Sequence, residues 1–194
     1  MKTIALTTLA AAAGLATASP FLATNLTDYS VGTAGTPTVT MTIDISGISF
    51  NDAQGSALND TLSVAIGVGA EITGIGWDVT YTSIGGSWGS EAVINFEGQI
   101  FVTAGVGDDA PVSMMNYSSG GILDLSDNAL PNITLGGDGN LDLEFFESFV
   151  DNGGTGDTVA EAGSFITVAV KGVPAPGSLA VLGLGGLVAG RRRR

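Results

Sequence analysis

Polar and hydrophobic residues alternate one by one through most of the middle of this chain, the pattern of strands with one face buried. In residues 37–46 (PTVTMTIDIS), Val39, Met41, Ile43 and Ile45 fall on one face, with Thr38, Thr40, Thr42 and Asp44 on the other. Residues 61–68 repeat the pattern with Leu62, Val64, Ile66 and Val68. Residues 74–82 (GIGWDVTYT) direct Ile75, Trp77, Val79 and Tyr81 inward. Ala92, Ile94 and Phe96 follow, with a change of register expected near Gly98. Leu141, Leu143 and Phe145 alternate in 140–146, and 163–170 oppose Phe165, Thr167 and Ala169 to Ile166, Val168 and Val170. No stretch between the two chain ends sustains a helical period.

Turn-rich segments separate these runs, among them NDAQGS, SIGGSWGS, AGVGDDAP, LGGDGN and DNGGTGD. Seven to nine short strands at this spacing predict an all-β fold, an antiparallel β-sandwich with a jelly roll preferred over an immunoglobulin-like arrangement. The sandwich is expected over residues 19–172. A signal helix (1–18) precedes it and a short hydrophobic helix lies in the C-terminal segment (173–194).

Charge narrows the function. The nineteen acidic residues all lie between Asp28 and Glu161, whereas the six basic ones are Lys2, Lys171 and Arg191, Arg192, Arg193 and Arg194. Residues 19–172 therefore hold nineteen acidic side chains against Lys171 alone, a net of −18. Nucleic-acid binding needs clustered cations to displace counterions, so no nucleic-acid partner is expected. Cysteine and histidine are both absent. That excludes disulfides, thiol nucleophiles, a Ser-His triad and His- or Cys-ligated zinc.

The ends read as processing signals. Lys2, an apolar stretch from Ile4 to Ala16, and the small residues Ala16 and Ala18 form a secretory signal peptide cut before Ser19. Residues 177–190 are apolar apart from Ser178. As a helix they cover only about 21 Å of a hydrocarbon core about 30 Å thick. The arginines behind them would stay on the cytoplasmic side.

Val173, Pro174, Ala175, Pro176 and Ser178, then the Leu/Gly-rich run and Arg191, Arg192, Arg193 and Arg194, resemble the PEP-CTERM sorting tail of Gram-negative bacteria. Ala175 stands where that pattern has Glu, and Gly177 is inserted before Ser178. The resemblance implies export, transient retention in the inner membrane, and cutting near Pro-x-Pro by an exosortase, a membrane protease associated with exopolysaccharide production. Signal peptidase is the other expected processing partner, and the cell surface or extracellular space the destination. More loosely, residues 74–96, 118–121 and 141–151 resemble secreted jelly-roll domains such as the P-domain of subtilisin-like proprotein convertases. That likeness implies a non-catalytic module able to hold structural calcium.

Three chemistries can be drawn from the residues. Asp108 and Asp109 in one loop, and Asp138, Asn140 and Asp142 in another, offer hard oxygen ligands for calcium. A third loop offers Asp151, Asn152 and Asp157. The alternation of Asp138, Asn140, Asp142 and Glu144 equally describes the wet face of a strand. Trp88, set between glycines and serines, is the candidate glycan-stacking residue. Hydrolysis of glycosides needs two carboxylates, available among Glu91, Glu97, Glu144 and Glu147. Glu144 and Glu147 flank Phe145 and Phe146, whose apolar surroundings would raise a carboxyl pKa. No enzyme activity is expected. The chain reads as a surface or matrix protein, with a carbohydrate-binding or adhesive module as the alternative and a glycoside hydrolase behind both. Divalent-bridged contact with anionic polysaccharide would suit its acidic loops.

Overall fold

A computed structural model describes residues 24–31, 37–151 and 156–172. The signal peptide with Ala16, Ala18 and Ser19, the segment with Asn152, and the tail from Val173 to Arg194 lie outside the described residues. Those described form thirteen strands and one short 3-10 turn, in two antiparallel sheets. The all-β expectation holds. The strand number exceeds the expected seven to nine because several very short strands line the edges of one long one.

That long strand is β5 (Glu71–Ser83). On one edge it pairs with β13 (Phe165–Lys171) and then β12 (Thr158–Ala160). On the other edge it pairs in turn with β10 (Ile133–Thr134), β9 (Leu123–Asp124) and β8 (Met115–Ser118). Beyond β13 lie β2 (Pro37–Asp44) and β1 (Thr24–Val31), and beyond β12 lies β3 (Ser49–Phe50). The second sheet runs β4 (Asp60–Ala65), β11 (Asn140–Glu147), β6 (Ala92–Phe96), β7 (Ile100–Val102).

The alternation decides which faces meet. Val39, Ile43 and Ile45, then Ile166, Val168 and Val170, and from the second sheet Val64, Ile94, Phe96, Leu141, Leu143 and Phe145, are all buried. Phe50 packs edge-on against Tyr81 (5.3 Å) and Phe145 (5.6 Å), joining the sheets near one end. Ile72 and Ile75 are three residues apart yet both buried. The pairing explains this: Ala169 faces Gly74 and Val170 faces Ile72, so Thr73 is the extra residue of a bulge that resets the phase. The register change expected near Gly98 is a turn in which Gln99 N donates to Phe96 O across Glu97 (φ 55°) and Gly98 (φ 66°). Two consecutive left-handed residues suit the twist of a hairpin.

One inward assignment fails, and another, Trp77, packs against the core only in part. Val68 is 70 % exposed, because β4 ends at Ala65 and the chain turns through Gly67 and Gly69. Trp77 is only half-buried, since it lines an apolar cleft of about 240 Å³ with Ile75, Phe101, Leu123 and Leu125 where the sheets part.

The sandwich has two poles. At one, Lys171 pairs with Glu71, and β11 begins at Asn140 opposite Ala65. At the other, Ser83 faces Thr158 and Glu147 faces Ala92. Twelve residue steps along β5 separate them, about 40 Å at strand rise.

Candidate functional site

The alternation that buries Leu141, Leu143 and Phe145 continues for one more step of β11, and the residue in phase is Glu147. The strand therefore carries a carboxylate into the core at the pole away from Lys171, leaving it 1 % exposed. Three other segments converge there. Residues 87–91 follow β5 and bring Ser87 and Glu91. Residues 157–158 enter β12 and bring Asp157 and Thr158, both fully buried. Tyr81 of β5 supplies a fully buried phenol near enough to Glu147 to feel its charge.

Ser87 stands between two of the carboxylates, with Oγ 3.0 Å from Glu91 Oε2 and 3.3 Å from Glu147 Oε2. Its single proton reaches one of them at a time. The Trp88 amide also donates to Glu91 Oε2 (2.8 Å), and the Asp151 amide donates to Asp157 Oδ2 (3.3 Å). Four buried oxygens have no hydrogen-bond partner among the described residues: Glu147 Oε1, Asp157 Oδ1, Thr158 Oγ1 and the Tyr81 hydroxyl. Buried polar atoms are nearly always paired, so four together mark a site rather than ordinary core.

The electrostatics follow from burial. Loss of water pushes the Glu147 carboxyl up to about 8. The Asp157 and Glu91 carboxylates add to the rise. The Ser87 and Thr158 hydroxyls oppose it, Thr158 from beside the carboxyl but outside hydrogen-bonding geometry. Burial also lifts the Tyr81 hydroxyl far above the usual phenol range, and the Glu147 charge adds to this. Among the described residues Lys171 is the one cationic side chain, and it pairs with Glu71 (3.8 Å) at the opposite pole.

A second feature lies on the outer face of the smaller sheet. Thr61, Ser63, Asn95, Glu97, Asp142 and Glu144 line a polar groove of about 620 Å³. One wall is the loop joining β3 to β4, which is knitted to itself. The Asp52 amide donates to Asn59 Oδ1, Asn59 Nδ2 donates to Ala53 O, and Ser56 Oγ donates to Asp52 Oδ2. The Ser56 hydroxyl and Ala53 amide hold the Asp52 carboxyl below its usual range. Glu144 Oε1 pins this loop by accepting from the Gly55 amide (2.5 Å) and Asn59 Nδ2 (2.9 Å). Glu97 Oε1 accepts from the Asp142 amide (2.6 Å). Both glutamates thus shape the groove as well as charge it.

The structure separates the three loops proposed for calcium; of the third, Asp157 is buried in the cluster and Asp151 is exposed. Asp108 and Asp109 sit at the pole of the buried cluster, where Asp108 Oδ2 accepts from the Tyr117 hydroxyl (2.7 Å) and Asp109 Oδ1 from Ser90 Oγ (2.8 Å). Burial, then the bond to Asp108, raises the Tyr117 pKa. Asp138 lies in the turn at the opposite pole, its Oδ1 accepting from the Asn140 amide (3.4 Å). Asn140, Asp142 and Glu144 alternate along the outward face of β11. Among the described residues no group of three or more acidic side chains is arranged to hold a metal ion. Trp88 is 43 % exposed and is not part of the groove lining.

Sequence reasoning had named Glu91 and Glu147 among the carboxylates available for hydrolysis and Asp157 in a loop offered for calcium, but neither the convergence of the three nor Ser87, Tyr81 and Thr158 beside them. The one available signal was the phase of Glu147. No protein-family model, curated protein or solved structure matches this chain.

Proposed function

We propose that this chain is an exported, non-catalytic cell-surface or matrix protein, held transiently in the inner membrane by its C-terminal segment, processed there, and associated with exopolysaccharide. The observation that carries the reading is the placement of Lys171 at one pole. A tail continuing from it would hold that pole at the membrane and present the loops of the other, about 40 Å away along β5. Processing draws on the sequence resemblance of Val173 to Ser178 and the arginines beyond. No helix among the described residues is long and apolar enough to cross a membrane.

Taking β2, β4, β5, β6, β7, β8, β11 and β13 as eight strands in chain order, the two sheets read 1-8-3-6 and 2-7-4-5. Two strands wound together as a hairpin and wrapped into a barrel produce that order, which supports a jelly roll.

Mass spectrometry of the exported protein tests the reading. A mature chain starting at Ser19 and ending near Pro174 to Pro176 is expected. An exported product that keeps Arg191, Arg192, Arg193 and Arg194 overturns tail processing.

One observation favours a second reading, a carbohydrate-binding module. The outer groove presents amides, hydroxyls and carboxylates, the groups that bond sugar hydroxyls, on a rigid sheet face.

A further inference from the structure

Three carboxylates converge in the core at the pole away from Lys171, and no cationic side chain among the described residues reaches them. Burying an uncompensated charge is costly, and buried carboxylates persist where a proton, a cationic side chain or a metal offsets them. Glu91 differs from the other two: Ser87 Oγ and the Trp88 amide hold the same oxygen, Oε2, and fix it in place. Glu147 and Asp157 each keep one oxygen without a partner, and so does the Thr158 hydroxyl next to them. All three side chains are at least nine-tenths buried.

We propose that Glu147 Oε1, Asp157 Oδ1 and Thr158 Oγ1 bind one calcium ion between the sheets, with water completing its shell. The donors are all hard oxygens, with neither nitrogen nor sulfur among them. Calcium accepts six to eight such oxygens in irregular arrangements, whereas magnesium demands a regular octahedron and gives up its water reluctantly. Two carboxylates balance the ion's charge, and Glu91 stays outside as an oriented neighbour that favours a divalent over a monovalent cation. The Asp151 amide, bonded to the second oxygen of Asp157, fixes the direction in which Oδ1 faces. This site is separate from the surface loops of Asp108 and Asp138 and from the groove, and it does not depend on export.

The test uses the purified full-length chain, stripped with EDTA and titrated with calcium, magnesium or sodium at matched ionic strength. Calcium is expected to raise the melting temperature by several degrees more than either control. Terbium substituted for calcium is expected to luminesce on excitation of the aromatic side chains, with a decay in light and heavy water that reports fewer bound waters than the free ion carries. Glu147→Gln replaces a carboxyl that without calcium must either hold a proton or stand uncompensated, so it is expected to melt no lower than the wild type in EDTA while binding calcium roughly tenfold more weakly. Asp142→Asn is expected to respond as the wild type does. A wild-type melt indifferent to calcium overturns the site. So does a calcium response that survives in Glu147→Gln, or one lost in Asp142→Asn. A fully hydrated terbium ion overturns it without any variant.

Discussion

Glu147 shows how one residue turns a strand pattern into chemistry. Its parity along β11 is that of Leu141, Leu143 and Phe145, so the backbone that buries three apolar side chains must also bury a carboxylate. The carboxyl keeps its proton in the folded protein up to about 8 but ionises near 4.5 when unfolded. Between those values the native state binds the extra proton. Stability is therefore full below the lower value and falls as pH rises through the window. In EDTA, the stability of the wild type relative to Glu147→Gln should drop by up to about 1.4 kcal/mol per pH unit between pH 5 and 8. Urea denaturation across that range measures it, and parallel profiles for the two proteins would show that Glu147 holds no proton. The sequence contained the parity and the flanking Phe145 and Phe146. It did not contain Ser87, or Asp157 and Thr158, as neighbours, since these arrive on two other segments of the chain.

At the scale of elements, turns decide where strands stop. The pattern in residues 61–68 runs on to Val68, but the strand stops at Ala65 because the chain there must pass under the turn that starts β11. Gly139 is the contact: its φ is +69°, and a Cβ would lie 2.5 Å from Val68 N and 2.6 Å from Gly67 C. Its carbonyl accepts from both the Ile66 and Gly67 amides (2.9 and 2.8 Å). Replacing Gly139 by Ala is expected to destabilise the fold by about 1–3 kcal/mol through φ strain and backbone overlap. Chemical denaturation gives the number, and a loss below a few tenths of a kcal/mol would mean that the two turns do not meet this closely. The bulge at Thr73 has the same character. Residues 71–77 show hydrophobic positions spaced by three, which a strict period of two misreads, and only the pairing of Ala169 and Val170 reveals the inserted residue.

At the scale of the whole molecule, the groove and the buried cluster occupy different surfaces of one sandwich, and the acidic balance bears on both. A groove lined by Glu97, Asp142 and Glu144 repels polyanions unless divalent ions bridge them, so neutral polysaccharide is its better match. In affinity electrophoresis through gels containing a neutral polysaccharide, Trp88→Ala should be retarded like the wild type. The double variant Glu97→Gln, Asp142→Asn should lose most of the retardation. The opposite result would move any sugar contact from the groove to the loop of Trp88. The cleft beside Trp77 is also a product of assembly, because the two sheets part where β7 and β9 end and leave the ring half-covered.

Much of this protein was determined locally. Alternation along each strand decides which side chains face inward, and composition alone excludes cysteine and histidine chemistry and leaves the central domain nearly without cations. Both are properties of neighbouring residues or of totals, so they need no knowledge of the fold. Tertiary structure decided which inward positions meet. Glu91 lies far from Glu147 along the chain and Asp157 belongs to the other sheet, so only the registers of β11 with β6 and of β12 with β5, together with the stacking of the two sheets, bring them to one pole. Burial raises a carboxyl pKa and leaves oxygens unpaired only when water is excluded from every side, and that exclusion is a property of the assembled sandwich.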